Sequence, residues 1–271
     1  MPDYTAGDSK GVDFNHPCMG VTRVKDAEDG RVEFLMPDGM TPRKKIAIVG
    51  FASSSTLDAP FDDPEYAIVG MNQLYRWIPR ADAWYEMHEN YHEYVVEGTD
   101  HIGWLRTCPI PIYMTKHYPE YPNSVRFPIE RFSKRFGNYW TSSIAFMIAQ
   151  AIDSGFERID LFGIDLAVGD EWFYQRPCAE RLLGFAEGLG ITIGIPIASS
   201  LCKGSHIYGY EKDPMSNGLI STDDFAIRKA KLMKIRDTKI TELNQCDGAL
   251  AELDMWRGGI ELRSRQATWN P

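Results

Sequence analysis

The chain is 271 residues long, 44% hydrophobic and 25% charged, the make-up of a folded protein with one substantial core. Its formal charge of −9 at pH 7 argues against broad, non-specific polyanion binding. No apolar run approaches the roughly 18 residues of a membrane helix, and the N-terminal MPDYTAGDSKGVDF lacks the basic start and apolar stretch of a secretory signal. The five cysteines, Cys18, Cys108, Cys178, Cys202 and Cys246, are odd in number, far apart and free of any CxxC pair. That pattern fits reduced thiols, so a cytoplasmic location is expected. Cys178, beside Pro177, is a candidate nucleophile set against the general reading of reduced thiols.

Residues 1–43 read as an N-terminal extension. Within it VTRVK and RVEFLMP flank AEDG, a β-hairpin pattern with its turn at Asp29-Gly30. From Lys44 the pattern changes to KKIAIVG, a short apolar run entering a glycine turn, as buried parallel strands do. AIVGMN (67–72), AWYEMH (83–88), IPIYMT (110–115) and SVRFP (124–128) follow as further strands. SSIAFMIAQAIDSG (142–155) is too long an apolar run for a strand. It opens on serines suited to an N-cap and closes on a glycine suited to C′, so it reads as a helix. RIDLFGID (158–165) returns to strand, AERLLGFAEGLG (179–190) to helix and ITIGIP (191–196) to strand. Strands alternating with helices predict a Rossmann-like α/β domain over 44–205, a mostly parallel sheet with helices on both faces.

Residues 206–271 read as a C-terminal helical extension. Thr222 or Asp223 caps a long charged helix, with Leu232, Ile235, Leu243, Cys246, Leu250 and Leu253 near three-four spacing and Gly258-Gly259 at its expected end. That seam suits either a homo-oligomer or packing back on the domain. Arg126, Arg131, Lys134 and Arg135 form either a local basic groove or a solvated helix face.

In an open parallel sheet, ligands bind outside the carboxyl ends of the strands, near the point where strand order reverses. The residues just past each strand are therefore the informative ones. Gly50-Phe51-Ala52-Ser53-Ser54-Ser55 follows the first strand of the domain, a small-residue turn suited to phosphate or ribose, though a plain βα turn explains it as well. Asn72-Gln73 follows the next strand, and His88 follows the third with Glu86 two residues before it. Thr141-Ser142-Ser143 opens the longest apolar helix, where free amides favour an anion. Asp165 stands at the end of a later strand, where it suits sugar hydroxyls or a loop cap. His88-Glu89-Asn90-Tyr91-His92 matches the HExxH zinc pattern, but that motif needs a helix and a third ligand. His88 reads better as a polar, potentially catalytic residue at the sheet edge, and no metal site is expected.

Taken in order, Gly50–Ser54, Asn72–Tyr75, Thr141–Ser143 and Gly163–Leu166 resemble the bacterial sialyltransferase-like glycosyltransferases and related phage-encoded domains of unknown function. The resemblance spans roughly residues 44–200. It implies a nucleotide-activated sugar as donor substrate, held without metal or cofactor by Gly50, Ser53, Ser54, Asn72, Ser142, Ser143 and Asp165. The acceptor it implies is a hydroxyl, on a glycan or on a hydroxymethylated base of phage DNA, in the host cytoplasm if the chain is phage-encoded. The chain departs from the family at Ala167, where a tyrosine is usual, and in DEWFYQRP, which holds no histidine. The phage relatives it resembles carry a Glu-aromatic…Gln-Arg-Pro run matching Glu171, Gln175 and Arg176. Glu171 or His88 is thus the expected general base, with Tyr174 and Arg176 at the departing phosphate. A nucleotide or pterin pyrophosphate transferase, and a non-catalytic nucleotide-binding phage protein, are the alternatives.

Overall fold

A computed structural model describes residues 11–89, 99–204, 206–211 and 222–267. The chain separates into two compact units, residues 1–203 and 204–271. In the first unit a hairpin of β1 (Val21–Asp26) and β2 (Arg31–Leu35) precedes a seven-stranded sheet. That sheet contains β3 (Lys45–Val49), β4 (Tyr66–Met71), β5 (Ala83–Tyr85), β6 (Ile112–Met114), β7 (Ser124–Arg126), β8 (Arg158–Phe162) and β9 (Thr192–Gly194). Its order is β7-β6-β5-β4-β3-β8-β9, and each neighbouring pair runs parallel. The chain steps outward from β3 to β7, then crosses back to β8 on the other side of β3. The strand order therefore reverses between β3 and β8.

The apolar runs become two-sided strands because alternate residues feed two cores. Ile46 and Ile48 of β3 join the cluster that includes α2 (Ile129–Phe136), α3 (Ser143–Asp153) and α4 (Arg176–Gly188). Ala47 and Val49 join the opposite cluster with Trp84, Leu105 and Ile112, beneath α1 (His101–Thr107). Helix α3 is apolar nearly all round because residues 144, 145 and 147–152 are all buried. Ser142 caps it, and Gly155 at φ +76° turns the chain out toward β8. Gly30, at φ +65°, turns the hairpin, and a Cβ there would meet Pro128 Cδ at 2.5 Å. Its carbonyl accepts a hydrogen bond from Tyr113 (3.4 Å), and Ala27 O accepts one from Arg126 N, so the extension is docked against β6 and β7.

A buried ion cluster ties this extension to the sheet. Asp82, entering β5, lies between the guanidinium groups of Arg43 (2.7 Å) and Arg80 (3.1 Å), and all three side chains are at most 1% exposed. Asp82 also accepts from Ile68 N and Gly20 N, while Arg80 donates to the carbonyls of Phe61, Asp63 and Tyr66. Of the four basic residues, Arg131 and Arg135 of α2 pair with Asp153, and Arg126, ending β7, pairs with Glu130.

In the second unit α5 runs from Thr222 to Ala267, through Gly258-Gly259 rather than ending there. Two interior glycines weaken a helix by ~1 kcal/mol each without breaking it. Leu243, Cys246, Leu250 and Leu253 are exposed, and the side chains of Leu232 and Ile235 lie outside the described residues. Among the described residues no helix is long and apolar enough to cross a membrane.

Removing one member of a buried ion cluster strands its partners in a dry interior. Asp82→Asn is therefore expected to lower unfolding free energy by about 3–5 kcal/mol, measured by denaturant melts. A change under about 1 kcal/mol would mean that the two arginines are held by their carbonyl partners alone.

Candidate functional site

The reversal between β3 and β8 is built on two glycines in contact. A Cβ on Gly50 would lie 2.6 Å from Gly163 O, and one on Gly163 would lie 2.4 Å from Gly50 O and 2.2 Å from Thr56 Oγ1. Gly163 also has φ +64°, a conformation that side chains disfavour. The joint is stitched by Gly50 N to Phe162 O (2.8 Å), Ala52 N to Gly163 O (2.8 Å) and Gly163 N to Ser55 Oγ (2.9 Å). Thr56 Oγ1 closes it by donating to the Gly50 or Ala52 carbonyl. Several amides expected to face a phosphate are thus committed within the turn.

A cavity of about 840 Å³ opens above this joint, at the carboxyl edge of the sheet. Gly50, Asn72, Ser142, Ser143 and Asp165 line it, together with His88 and Glu171. Ser54 reaches it indirectly, donating to Asp165 Oδ1 (3.0 Å), whereas Ser53 is exposed and not among its lining residues. Ser142 Oγ accepts from Ala145 N (3.3 Å), so the mouth of α3 faces the cavity in capped form. Thr141, which the sequence placed at this helix start but not among the donor-binding residues, also lines it.

On two of the residues that line the cavity, Asn72 Oδ1 and Thr141 Oγ1 are buried with no hydrogen-bond partner among the described residues. A buried acceptor without a partner costs about 1–3 kcal/mol, which a donor group brought against either atom would recover. Asn72 and Leu166 line the same cavity at φ +51° and +46°, an unusual conformation for non-glycine residues. Trp84 Nε1 donates to Asn72 O (2.9 Å) and holds that strained turn in place.

His88 lies just past β5 in a loop, not on a helix. Its Nδ1 meets Glu86 Oε1 at 2.8 Å, and its side chain remains 42% exposed. Glu86 is only 2% exposed, and its other oxygen meets His101 Nε2 at 3.0 Å. Burial alone would raise the Glu86 carboxyl, but hydrogen bonds from His101 and His88 and the charges beside it outweigh that, holding it below its ordinary value. The hydrogen bond to Glu86 in turn raises His88 above the usual histidine value, against the opposing effect of burial. The sequence singled out Glu86 and His88; it gave no sign of His101, 15 residues further on. His92, the other histidine of the zinc pattern, lies outside the described residues. Among the described residues no group of three or more His, Cys, Asp or Glu could hold a metal ion.

The stretch 171–175 forms a single wide π-helical turn. It brings Glu171 and Gln175 to the cavity but leaves Tyr174 63% exposed, away from the lining. Arg176 is buried and tied elsewhere, to Glu180 (2.8 Å), to Ser200 O (2.7 Å) and to the Trp172 ring (4.4 Å). Neither Tyr174 nor Arg176 lines the cavity. Cys178 is fully buried and its Sγ donates to Tyr139 O, a packing thiol rather than a nucleophile.

Fold and cavity together define a doubly wound α/β protein with a ligand-sized site at its topological switch point. No protein-family model matches the chain, and no curated protein matches it. Among solved structures it is similar to the sialyltransferase CstII from Campylobacter jejuni in complex with a substrate analogue, CMP-3FNeuAc. That likeness has 16% identity and a TM-score of 0.39, covering 56% of this chain and 79% of that one. A second CstII structure, with cytidine-5'-monophosphate, gives 15% identity and a TM-score of 0.37 over 66% of this chain and 99% of that one. The monofunctional alpha-2,3-sialyltransferase Cst-I from the same organism gives 14% and 0.38, over 73% and 96%.

The joint is open to a direct check. Gly163→Ala meets both a positive φ and backbone contact, whereas Gly169→Ala meets a positive φ (+52°) with nothing within 4 Å. The first is expected to destabilise by clearly more than the roughly 1 kcal/mol set by backbone conformation alone, and the second by about that amount. Equal melting temperatures for the two variants would show that the close approach is not tight.

Proposed function

We propose that the protein is a glycosyltransferase that takes a sugar from a nucleotide-activated donor and passes it to an acceptor hydroxyl without a metal ion. The observation that carries this reading is the convergence of two kinds of chemistry on one cavity. Asn72, Thr141, Asp165 and the start of α3 offer hydrogen bonds and a positive helix end to a nucleotide, and His88 offers a basic nitrogen. Asp165 suits ribose hydroxyls, and the amide end of α3 suits the phosphate, a place that Arg176 and Tyr174 do not take. In the transfer step the acceptor hydroxyl gives its proton to His88 as its oxygen bonds to the anomeric carbon. The bond from that carbon to the phosphate oxygen breaks, and the nucleotide leaves with the electron pair. The Glu86 carboxylate beside Nδ1 stabilises the imidazolium that forms.

Glu171 also lines the cavity, but of these two candidates it is His88 that has a buried carboxylate behind it, and for that reason we place the base at His88. Trp140 and Phe146, stacked at 5.3 Å, form an apolar wall suited to a flat base or a sugar face. The acceptor we propose is a glycan or a hydroxymethylated base of phage DNA, and assays on both kinds of hydroxyl decide between them.

Calorimetry against CMP-, UDP- and GDP-sugars tests the donor half. Asn72→Ala and Asp165→Ala are each expected to weaken binding of the best donor by roughly 2- to 10-fold, as the loss of one hydrogen bond does. Unchanged affinity in both would place the donor elsewhere. His88→Ala is expected to lower turnover by about 10²–10⁴-fold with donor affinity retained, and Glu171→Ala far less. The reverse ranking would move the base to Glu171. Chelation with EDTA is expected to leave turnover unchanged, and strict dependence on a divalent ion would contradict the metal-free step.

A further inference from the structure

The buried histidine behind Glu86 has no part in the step described above, yet its surroundings are unusually well determined. His101 is 1% exposed, in the first turn of α1, and its ring lies parallel to Tyr75 at 5.7 Å with an interplanar angle of 3°. Tyr75 in turn stacks on Trp104 at 4.1 Å, and both pack edge-on to Trp84, the residue that holds Asn72. The aromatic cluster therefore fixes the plane of the His101 ring, and one polar partner, Glu86, holds its Nε2. Its Nδ1 is buried with no hydrogen-bond partner among the described residues, while Nε2 meets the Glu86 carboxylate. A proton on Nδ1 would be a buried donor with nothing to receive it, so the ring carries its proton on Nε2.

That assignment has a consequence for the other side of the carboxylate. One Glu86 oxygen is occupied by the Nε2–H of His101, so the carboxylate cannot turn, and its second oxygen stays aimed at His88 Nδ1. We propose that His101 is a positioning residue: by pinning Glu86 it holds His88 in the tautomer with its proton on Nδ1 and its basic lone pair on Nε2. A free histidine prefers no such arrangement strongly, and a mobile carboxylate would not enforce it. Among the described residues, the charged and titratable groups around this chain include Glu86 past β5, Tyr75 and Arg76 on the turn after β4, Asp100 beside His101, and His88 itself. Asp100 is already engaged in capping α1 through Gly103 N (2.8 Å). The catalytic meaning of this arrangement rests on the proposed transfer reaction. The arrangement itself does not.

Nitrogen-15 NMR of labelled histidine, without any substrate, separates the two. In the wild type His88 is expected as the Nδ1–H tautomer and His101 as the Nε2–H tautomer, and either ring in the opposite form overturns the proposal without a variant being made. His101→Phe keeps a ring beside Tyr75 but loses the donor. It is expected to shift His88 toward a tautomer mixture and to lower turnover by about 10-fold or more, part of what a positioned base supplies. His101→Gln retains a donor near the Nε2 position and is expected to recover most of both readouts. A folded His101→Phe protein with unaltered His88 tautomer makes His101 a packing residue and sinks the idea. If the shift occurs and no sugar donor is ever turned over, the positioning stands and the transfer reading fails. Glu86→Gln is expected to bring the His88 titration down from its raised position by removing the anion, and an unmoved titration also overturns the proposal.

Discussion

The contact between Gly50 and Gly163 is the constraint on which the rest of the site depends. Two parallel strands that diverge in topology must still run side by side until their last residue, and here they do so with backbones too close for any Cβ. Because β3 and β8 part only beyond that point, the chain leaves in opposite directions and a cleft opens directly above. Ser55 and Thr56 lock the turn from below, so the floor of the cleft is built from committed backbone groups. What remains for a ligand are side chains raised around the rim and the capped end of α3.

The rim is held by aromatic packing as much as by hydrogen bonds. Trp84 supports Asn72 through its indole N–H and also packs against Trp104 and against Tyr75, which stacks on His101. Those rings pack in the core on one face of the sheet, and the Trp84 indole N–H reaches out to the backbone of Asn72, a cavity residue. A single cluster thereby sets the strained backbone of Asn72 and, through His101 and Glu86, the orientation of His88. Preorganisation of this kind lets polar groups act without reorganising when a ligand arrives.

Much of this was legible in the sequence, and the reasons for the rest are physical. The strands announced themselves as short apolar runs because both faces of the sheet are buried, and α3 as a longer run bounded by Ser142 and Gly155. The rule that ligands gather at strand carboxyl ends found Gly50, Asn72, His88, Ser142, Ser143 and Asp165, which do share one cavity. It failed where neighbouring residues are chemically alike: nothing in Ser53-Ser54-Ser55 says that Ser53 faces solvent and Ser55 is buried. It failed also where partners are distant in sequence. The pairing of Glu86 with His101, of Asp82 with Arg43 and of Arg176 with Ser200 depends on tertiary packing that no local pattern encodes. Arg176, put at a departing phosphate by the resemblance, bonds instead to Glu180 and to Ser200 in the loop after β9.

The central claim is that a nucleotide-sugar occupies the cleft above the glycine joint with its transferable carbon within reach of His88. A crystal structure with an unreactive analogue of the best-binding donor tests it most directly. The expected density is a nucleotide against Asn72, Asp165 and the start of α3, with the anomeric carbon on the His88 side. A donor bound outside this cleft, or bound within it with the sugar turned away from His88, would contradict it.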